Sequence, residues 1–269
     1  MSKRPLLLIG IVICSVLILM SVFAPMLAPN NPNTVSMANA AEGSTGQFPL
    51  GTDQLGRCTL SRLIYGSRVS LGTALLVTVV SSAIGITVGV VSGLYAGRVA
   101  DKLLTVVCEV MLAFPGIILA LVIAGTLGPG IVNMMLAISL VNWAGFARIV
   151  RSLVIGVKDE EYIKAARASG TRGIRLAVRH ILPNISGAAA TVIATNLGNV
   201  ILQIAALSFL GLGAEFPTAE WGMMVSDARM HAAAMPSLMV YPVAAVSIAV
   251  LGFHLIGDGL KDISDSMEV

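Results

Sequence analysis

The sequence predicts an all-α, polytopic membrane protein with six transmembrane helices and two short polar helices between the fourth and the fifth. Three observations predict it. Hydrophobic residues make up 56% of the 269 positions, charged residues only 12%, and mean hydropathy is +0.90. That charge content is about half the level usual in soluble domains, and a soluble fold of this length could not keep so much apolar surface from water. Six apolar runs approach the roughly 20 residues a helix needs to cross a bilayer, and the basic residues gather in alternate connections.

The first run, 6–27, follows Lys3 and Arg4 and resembles a signal peptide. The small-x-small site Ala38-Asn39-Ala40 lies more than ten residues beyond it, too far for ordinary cleavage. Residues 1–28 are therefore read as an uncleaved anchor helix. Residues 29–69 form the first outer loop, rich in Pro, Asn, Ser, Thr and Gly up to residue 50. Leu55, Leu60, Leu63 and Ile64 then recur at helical spacing, with Arg57, Ser61, Arg62 and Arg68 between them. This pattern predicts an amphipathic helix lying on the outer membrane surface.

The same stretch holds a decoy. GTDQLGRC at 51–58 approaches the phosphate-binding G-x-x-x-x-G-K-[ST] pattern. Arg57 replaces the lysine, Cys58 replaces the magnesium-binding hydroxyl, and no strand precedes the loop. No nucleotide site is expected here. Cys14, Cys58 and Cys108 are widely spaced without a C-x-x-C or Cys/His cluster, which predicts buried thiols and neither a disulfide framework nor a metal site.

The core, 70–257, carries spans 70–94, 103–127, 131–147, 185–207 and 238–256. The third and fourth are joined by the turn GPG. The segment 148–184 is too polar to cross. Asp159, Glu160 and Glu161 open a helix where acids suit the dipole, Gly170 ends it, a second helix runs to Ile181, and Pro183 stands before the fifth span. Within it, 157–181 has two readings: a basic membrane-anchoring loop, or a docking element for a partner. Ala165 and Ala166 would let that partner approach closely, and Gly170 would permit a sharp turn. Residues 258–269 form a tail. With the termini inside, inner segments hold 13 of the 17 Lys and Arg, which places both termini and segment 148–184 in the cytoplasm.

Ionisable and amide groups within spans are candidate path residues. Glu109 lies about 10 Å into the third span at ~1.5 Å per residue, as a bond to a neighbouring helix or a substrate contact. Asn196, Asn199 and Gln203 fall on one face of the fifth span, to bond across helices or line a polar path. His254 is read as a satisfied bundle histidine. The Met223, Met224, Met230 and Met235 cluster with His231 is read as interface packing. Pro115 frees a backbone carbonyl and can kink the third span, as a hinge or as a packing kink. No catalytic constellation of nucleophile, base or metal ligands appears.

KAARASG at 164–170, then nine residues, then HILP at 180–183, resembles the permease signature E-A-A-x3-G-x9-I-x-L-P of ATP-binding-cassette (ABC) importers. Lys164 replaces the signature Glu, and His180 replaces its Ile. LGTDQLGRCTLSRLIYGSRVSL at 50–71, AFPG at 113–116, W-x3-AR-x2-R at 143–151 and SFLGLG-x3-P-x3-WG at 208–222 resemble the C-type permeases for dipeptides, oligopeptides and nickel. The resemblance covers about residues 48–260. It implies a type I importer permease fold and a function as half of a translocation pathway for peptides or nickel chelates. The implied partners are a homologous second permease in a heterodimer, two cytoplasmic ATPases, an extracytoplasmic binding protein and membrane lipid, without nucleic acid. It implies no cofactor on this chain, with ATP and Mg on the ATPases, and a bacterial inner-membrane location. The coupling segment would comprise Glu160, Glu161, Ala165, Ala166, Gly170, Arg172 and Pro183. The alternative is a self-sufficient secondary transporter or channel subunit.

The topology has a direct test. A reporter active only outside the cytoplasm should be active when fused after residue 45 and inactive when fused after residue 160; the reverse pattern would invert the orientation.

Overall fold

A computed structural model describes residues 4–267. Lys3 and the last two residues of the 258–269 tail lie outside them. The helices are α1 (Arg4–Val22), α2 (Ala24–Leu27), α3 (Thr59–Leu94), α4 (Val99–Leu112), α5 (Gly116–Leu127) and α6 (Ile131–Val157), then α7 (Glu161–Ala168), α8 (Gly173–Leu176), α9 (Leu182–Phe209), α10 (Trp221–Ala228) and α11 (Ser237–Met267). A π-helical turn, Ala177–Ile181, joins α8 to α9. Five helical runs are long and apolar enough to cross a membrane, and α4 with α5 supplies the sixth span.

That sixth span corrects the sequence reading, which drew residues 103–127 as one helix. The two halves meet at 85°. Pro115 has no N–H to give to the preceding turn and disfavours helical geometry at Phe114. The Ala113 N–H still bonds the Glu109 carbonyl, and the next helical bonds start afresh from the Pro115 carbonyl to the Ile118 and Leu119 N–H groups. Other boundaries also move. Helix α6 runs ten residues past the 131–147 run to Val157, and α11 continues through most of the 258–269 tail. The GPG turn is held by Asn133, whose amide donates to the carbonyls of Leu127, Gly128 and Pro129.

The bundle is organised on the crossing of α3 and α6. In lipid there is no hydrophobic force between helices, so close backbone approach and packing hold them together. Gly85, Gly89 and Gly93 repeat every fourth residue along one face of α3. A Cβ at Gly85 would lie 2.3 Å from Phe146 Cβ, at Gly89 2.6 Å from the Ala147 carbonyl oxygen, and at Gly93 2.6 Å from Val154 Cβ. A second glycine seam, Gly10 against Gly252 and Gly259 against Leu7, lays α1 on α11. Leu8, Val12, Val16 and Leu19 on α1 stay exposed, as a lipid-facing surface requires. The three cysteines are buried.

The end of the bundle remote from α7 differs most from expectation. Residues 59–69 are no separate surface helix, because α3 is continuous from Thr59 to Leu94. Of the three arginines assigned to its wet face, Arg68 is exposed, but Arg57 and Arg62 are among the most buried side chains, at 1% and 2% exposure. Arg57 Nε donates to Asp53 Oδ2 at 2.6 Å and its Nη2 to Asp227 Oδ2 at 3.0 Å. Arg62 lies 3.7 Å from both carboxylates and donates to the Pro32 and Pro217 carbonyls. Two arginines and two aspartates thus tie the first outer loop, α3 and α10 into one body. The loop 51–58 fills itself: the Asp53 carboxylate accepts the Leu55 and Arg57 N–H groups at 2.9 and 3.0 Å, donors a phosphate would need. Gly56 packs so closely that a Cβ would fall 1.8 Å from the Ser36 carbonyl oxygen.

Below this cluster, Trp221 is fully buried and donates from Nε1 to the Leu63 carbonyl at 3.0 Å. Glu220, 1% exposed, caps α10 by accepting the Gly222 and Met223 N–H groups and the Ser70 hydroxyl. Of the methionine cluster, Met224 is buried with this group and Met230 is exposed.

Two substitutions test these seams. Gly89→Leu forces α3 from α6 and should destabilise the protein by at least ~2 kcal/mol, read as a lowered midpoint of unfolding in mixed micelles. Arg57→Ala removes the closest ion-pair partner of buried Asp53 and half-buried Asp227, leaving only the more distant Arg62, and should cost about 3 kcal/mol, whereas Arg68→Ala, outside the cluster, should be near neutral in the same assay.

Candidate functional site

The segment between α6 and α9 forms a helical hairpin with an inward and an outward face. Glu160 precedes α7 in extended geometry, and its carbonyl accepts the Ile163 and Lys164 N–H groups. Glu161 stands in the first turn and pairs with Lys164 at 2.9 Å. Both side chains are more than half exposed, so this pair contributes little to stability. Ile163 (0% exposed) and Ala166 (7%) pack into a cluster with Val90, Val150, Val154, Leu176, Ala177, Ile181 and Ile185. Tyr162, Ala165 and Ala168 face out.

This separates two residues the sequence reading treated alike. Ala165 is open to a partner. Ala166 is not, because one α-helical step of 100° turns it into the chain's own core.

The end of α7 is a Schellman motif. The Thr171 N–H donates to the Ala166 carbonyl and the Gly170 N–H to the Arg167 carbonyl, each at 3.0 Å. Gly170 closes it at φ +88°, with open space where a Cβ would sit. Its requirement is therefore conformational rather than steric. Arg172 is exposed just before α8. Pro183 stands at the start of α9, just after the π-helical turn and Leu182. The Asn184 amide donates to the Tyr162 hydroxyl, tying α7 to the root of α9.

The hairpin is anchored from above by a group the sequence reading did not single out. Asp101, 3% exposed, accepts Arg151 Nε at 2.6 Å on one oxygen and Arg151 Nη2 at 2.8 Å on the other. The Ser92 and Thr105 hydroxyls and the Gly97 N–H complete its shell. This bidentate pair joins the end of α3, the start of α4 and the lower part of α6. A signal was available: Asp101 sits at a span edge, and Arg151 lies in a motif already quoted.

The path candidates are not brought together. Glu109 is exposed on α4 and lines a cavity of about 180 Å³ with Arg148, Arg151, Cys108 and Ser92. The amide stripe lies on α9 and divides by role. Gln203 Oε1 accepts the Asn142 amide at 3.0 Å, a cross-link to α6. Asn199 is exposed. Asn196 Oδ1 is buried with no hydrogen-bond partner among the described residues. His254, read as satisfied, has Nε2 buried in the same condition, against Gly198. Pro115 stands at the 85° break.

The comparisons with known proteins agree with this architecture. Residues 85–267 match the family described as the binding-protein-dependent transport system inner membrane component. Residues 1–44 match the N-terminal TM domain of oligopeptide transport permease C. The chain is 38% identical to the dipeptide transport system permease protein DppC of Alkalihalophilus pseudofirmus, over 98% of this chain and 87% of that protein. It is 36% identical to the nickel transport system permease protein NikC of Escherichia coli K12, over 97% and 94%. It is 37% identical to the glutathione transport system permease protein GsiD of Shigella dysenteriae, over 93% and 82%. These relatives are permease subunits, and the self-sufficient transporter finds no support among them. This chain, a multi-pass inner-membrane protein, belongs to the permease family of binding-protein-dependent ABC importers.

Proposed function

We propose that this chain pairs with a homologous second permease to form the pathway of a bacterial importer for short peptides or nickel chelates, and that the α7–α8 hairpin seats one of two cytoplasmic ATPases. The observation that carries the reading is the two-sidedness of α7. Ile163 and Ala166 lock it to α3 and α6 and Tyr162 ties it to α9, while Ala165 and Gly170 stand open. A partner pushing on the open face moves the bundle, because the closed face gives it no independent play.

An extracytoplasmic binding protein delivers the cargo. ATP and Mg act on the ATPases, and this chain holds no cofactor. The 13-to-4 basic bias supports a cytoplasmic hairpin and cytoplasmic termini. The ATPases shift the pore between its inward-open and outward-open states only by the difference in their contacts with the hairpin in each. Asn199 and Glu109, both exposed in the single chain, are the path residues free to meet cargo, while Gln203 holds α9 to α6. Peptide or nickel-chelate cargo follows the relatives' names.

Separating docking from folding tests the reading. Ala165→Trp changes only the open face. Uptake in proteoliposomes of the full complex should fall at least tenfold and ATPase co-purification should weaken, with thermal stability unchanged. Ile163→Ala should instead lower stability by about 2–4 kcal/mol. Gly170→Glu, which strains the motif by roughly 1–2 kcal/mol, should abolish uptake while the protein still inserts. Wild-type uptake and ATPase binding by Ala165→Trp would rule out the open face as the seat.

A further inference from the structure

We propose that a groove between α3 and the α8–α9 junction takes an acyl chain of an anionic phospholipid from the leaflet on the hairpin side, with the phosphate held by the arginines at its rim. The groove has a volume of about 350 Å³, within the ~300–1,000 Å³ range of small-ligand sites. Its walls are Ile86, Val90, Val91 and Leu94 from α3, and Ile174 and Val178 from the opposite side. Thr87, on the same surface, donates its hydroxyl to the Ala83 carbonyl at 2.8 Å, so the groove has no polar group in need of a partner. Ile174 is 82% exposed and Val178 58%, a large apolar surface for the edge of a polar hairpin.

The rim has the opposite chemistry. Tyr95 lines the mouth, and the Arg98 guanidinium lies 5.6 Å from its ring centroid. This pairing of aromatic ring and cation suits the headgroup level. Arg175 and Arg179 are interleaved with the wall residues Ile174, Ala177 and Val178, and all three arginines are exposed. Among the described residues none of the three has an ion-pair partner. An apolar trough with the Arg98 guanidinium beside its mouth, and with exposed Arg175 and Arg179 on the helical segment that forms one wall, matches one chain and one phosphate of a lipid bearing net negative charge. A zwitterionic headgroup would bring its own ammonium into this positive field. A protein helix seated here would need acidic residues aligned on the same rim.

The site has a structural consequence for the hairpin. Val90 and Ala177 are shared between the groove wall and the cluster that seats Ile163 and Ala166. A bound chain therefore packs against the back of the surface that holds α7.

The test places a reporter in the mouth. The full-length chain carrying Tyr95→Trp is reconstituted with its partner subunits in bilayers mixing phosphatidylcholine and phosphatidylglycerol, with one or the other brominated on its chains. Quenching of the added indole fluorescence, relative to protein without the substitution, reports which lipid occupies the groove. Brominated phosphatidylglycerol should quench several-fold more effectively than brominated phosphatidylcholine at equal mole fraction. Adding Arg175→Gln and Arg179→Gln should reduce that preference by about fivefold for each charge removed, and Lys261→Gln should leave it unchanged. Equal quenching by both lipids would reduce the groove to ordinary solvation, and no quenching by either would mean that protein covers it. Either outcome overturns the proposal.

Discussion

Helices α3 and α6 can lie side by side because three successive turns of α3 present hydrogen where other residues carry a side chain. The absence of Cβ atoms at Gly85, Gly89 and Gly93 lets the Trp143 and Ala147 carbonyls and the Val150 and Val154 side chains fill the space. A membrane supplies no water to expel from such a seam, so contact distance decides whether it holds. The rest of the chain hangs from it. Val90, Val150 and Val154 form the floor on which α7 rests, Arg151 extends from α6 to the head of α4, and Asn142 reaches from α6 to α9.

Charged groups in the described bundle follow two patterns. At the end of the bundle remote from the hairpin, Asp53, Arg57 and Arg62 are withdrawn from solvent and shared with half-buried Asp227, joining segments 170 residues apart in sequence. Nearer the hairpin, Asp101 and Arg151 satisfy each other and fasten three helices. Both are arrangements in which removing one partner costs more than the pair contributes, because a lone buried ion has no water to turn to. Glu109 and Arg148 stand apart: both border a cavity, and neither makes an ion pair among the described residues.

The spans were legible because lipid imposes a length and an apolarity on every crossing, and those are one-dimensional properties. The hairpin was legible for a related reason: its charges forbid crossing, and Gly170 announces the turn. Features needing a third dimension escaped. Arg57 and Arg62 look amphipathic in sequence, and only the return of Asp227 from the far end of the chain makes burial tolerable. Ala165 and Ala166 are indistinguishable as letters, yet one helical step separates an outer surface from a core. The 85° break needed more than Pro115 alone, since Pro242 sits inside the continuous α11.

The π-helical turn at Ala177–Ile181 does not interrupt the chain's longest rod, since Gly173 to Phe209 counts as one membrane-length run of 37 residues. That rod crosses α11 at Gly198, where the histidine ring lies flush against its backbone. Measured at ~1.5 Å per residue, the crossing divides it into arms of roughly 38 and 17 Å. A rod pivoting there is an unequal seesaw. If it turned there as a rigid body, a displacement of the long arm would reach the short arm reversed in direction and about halved, so a large movement at one end would become a small, stiff adjustment at the other.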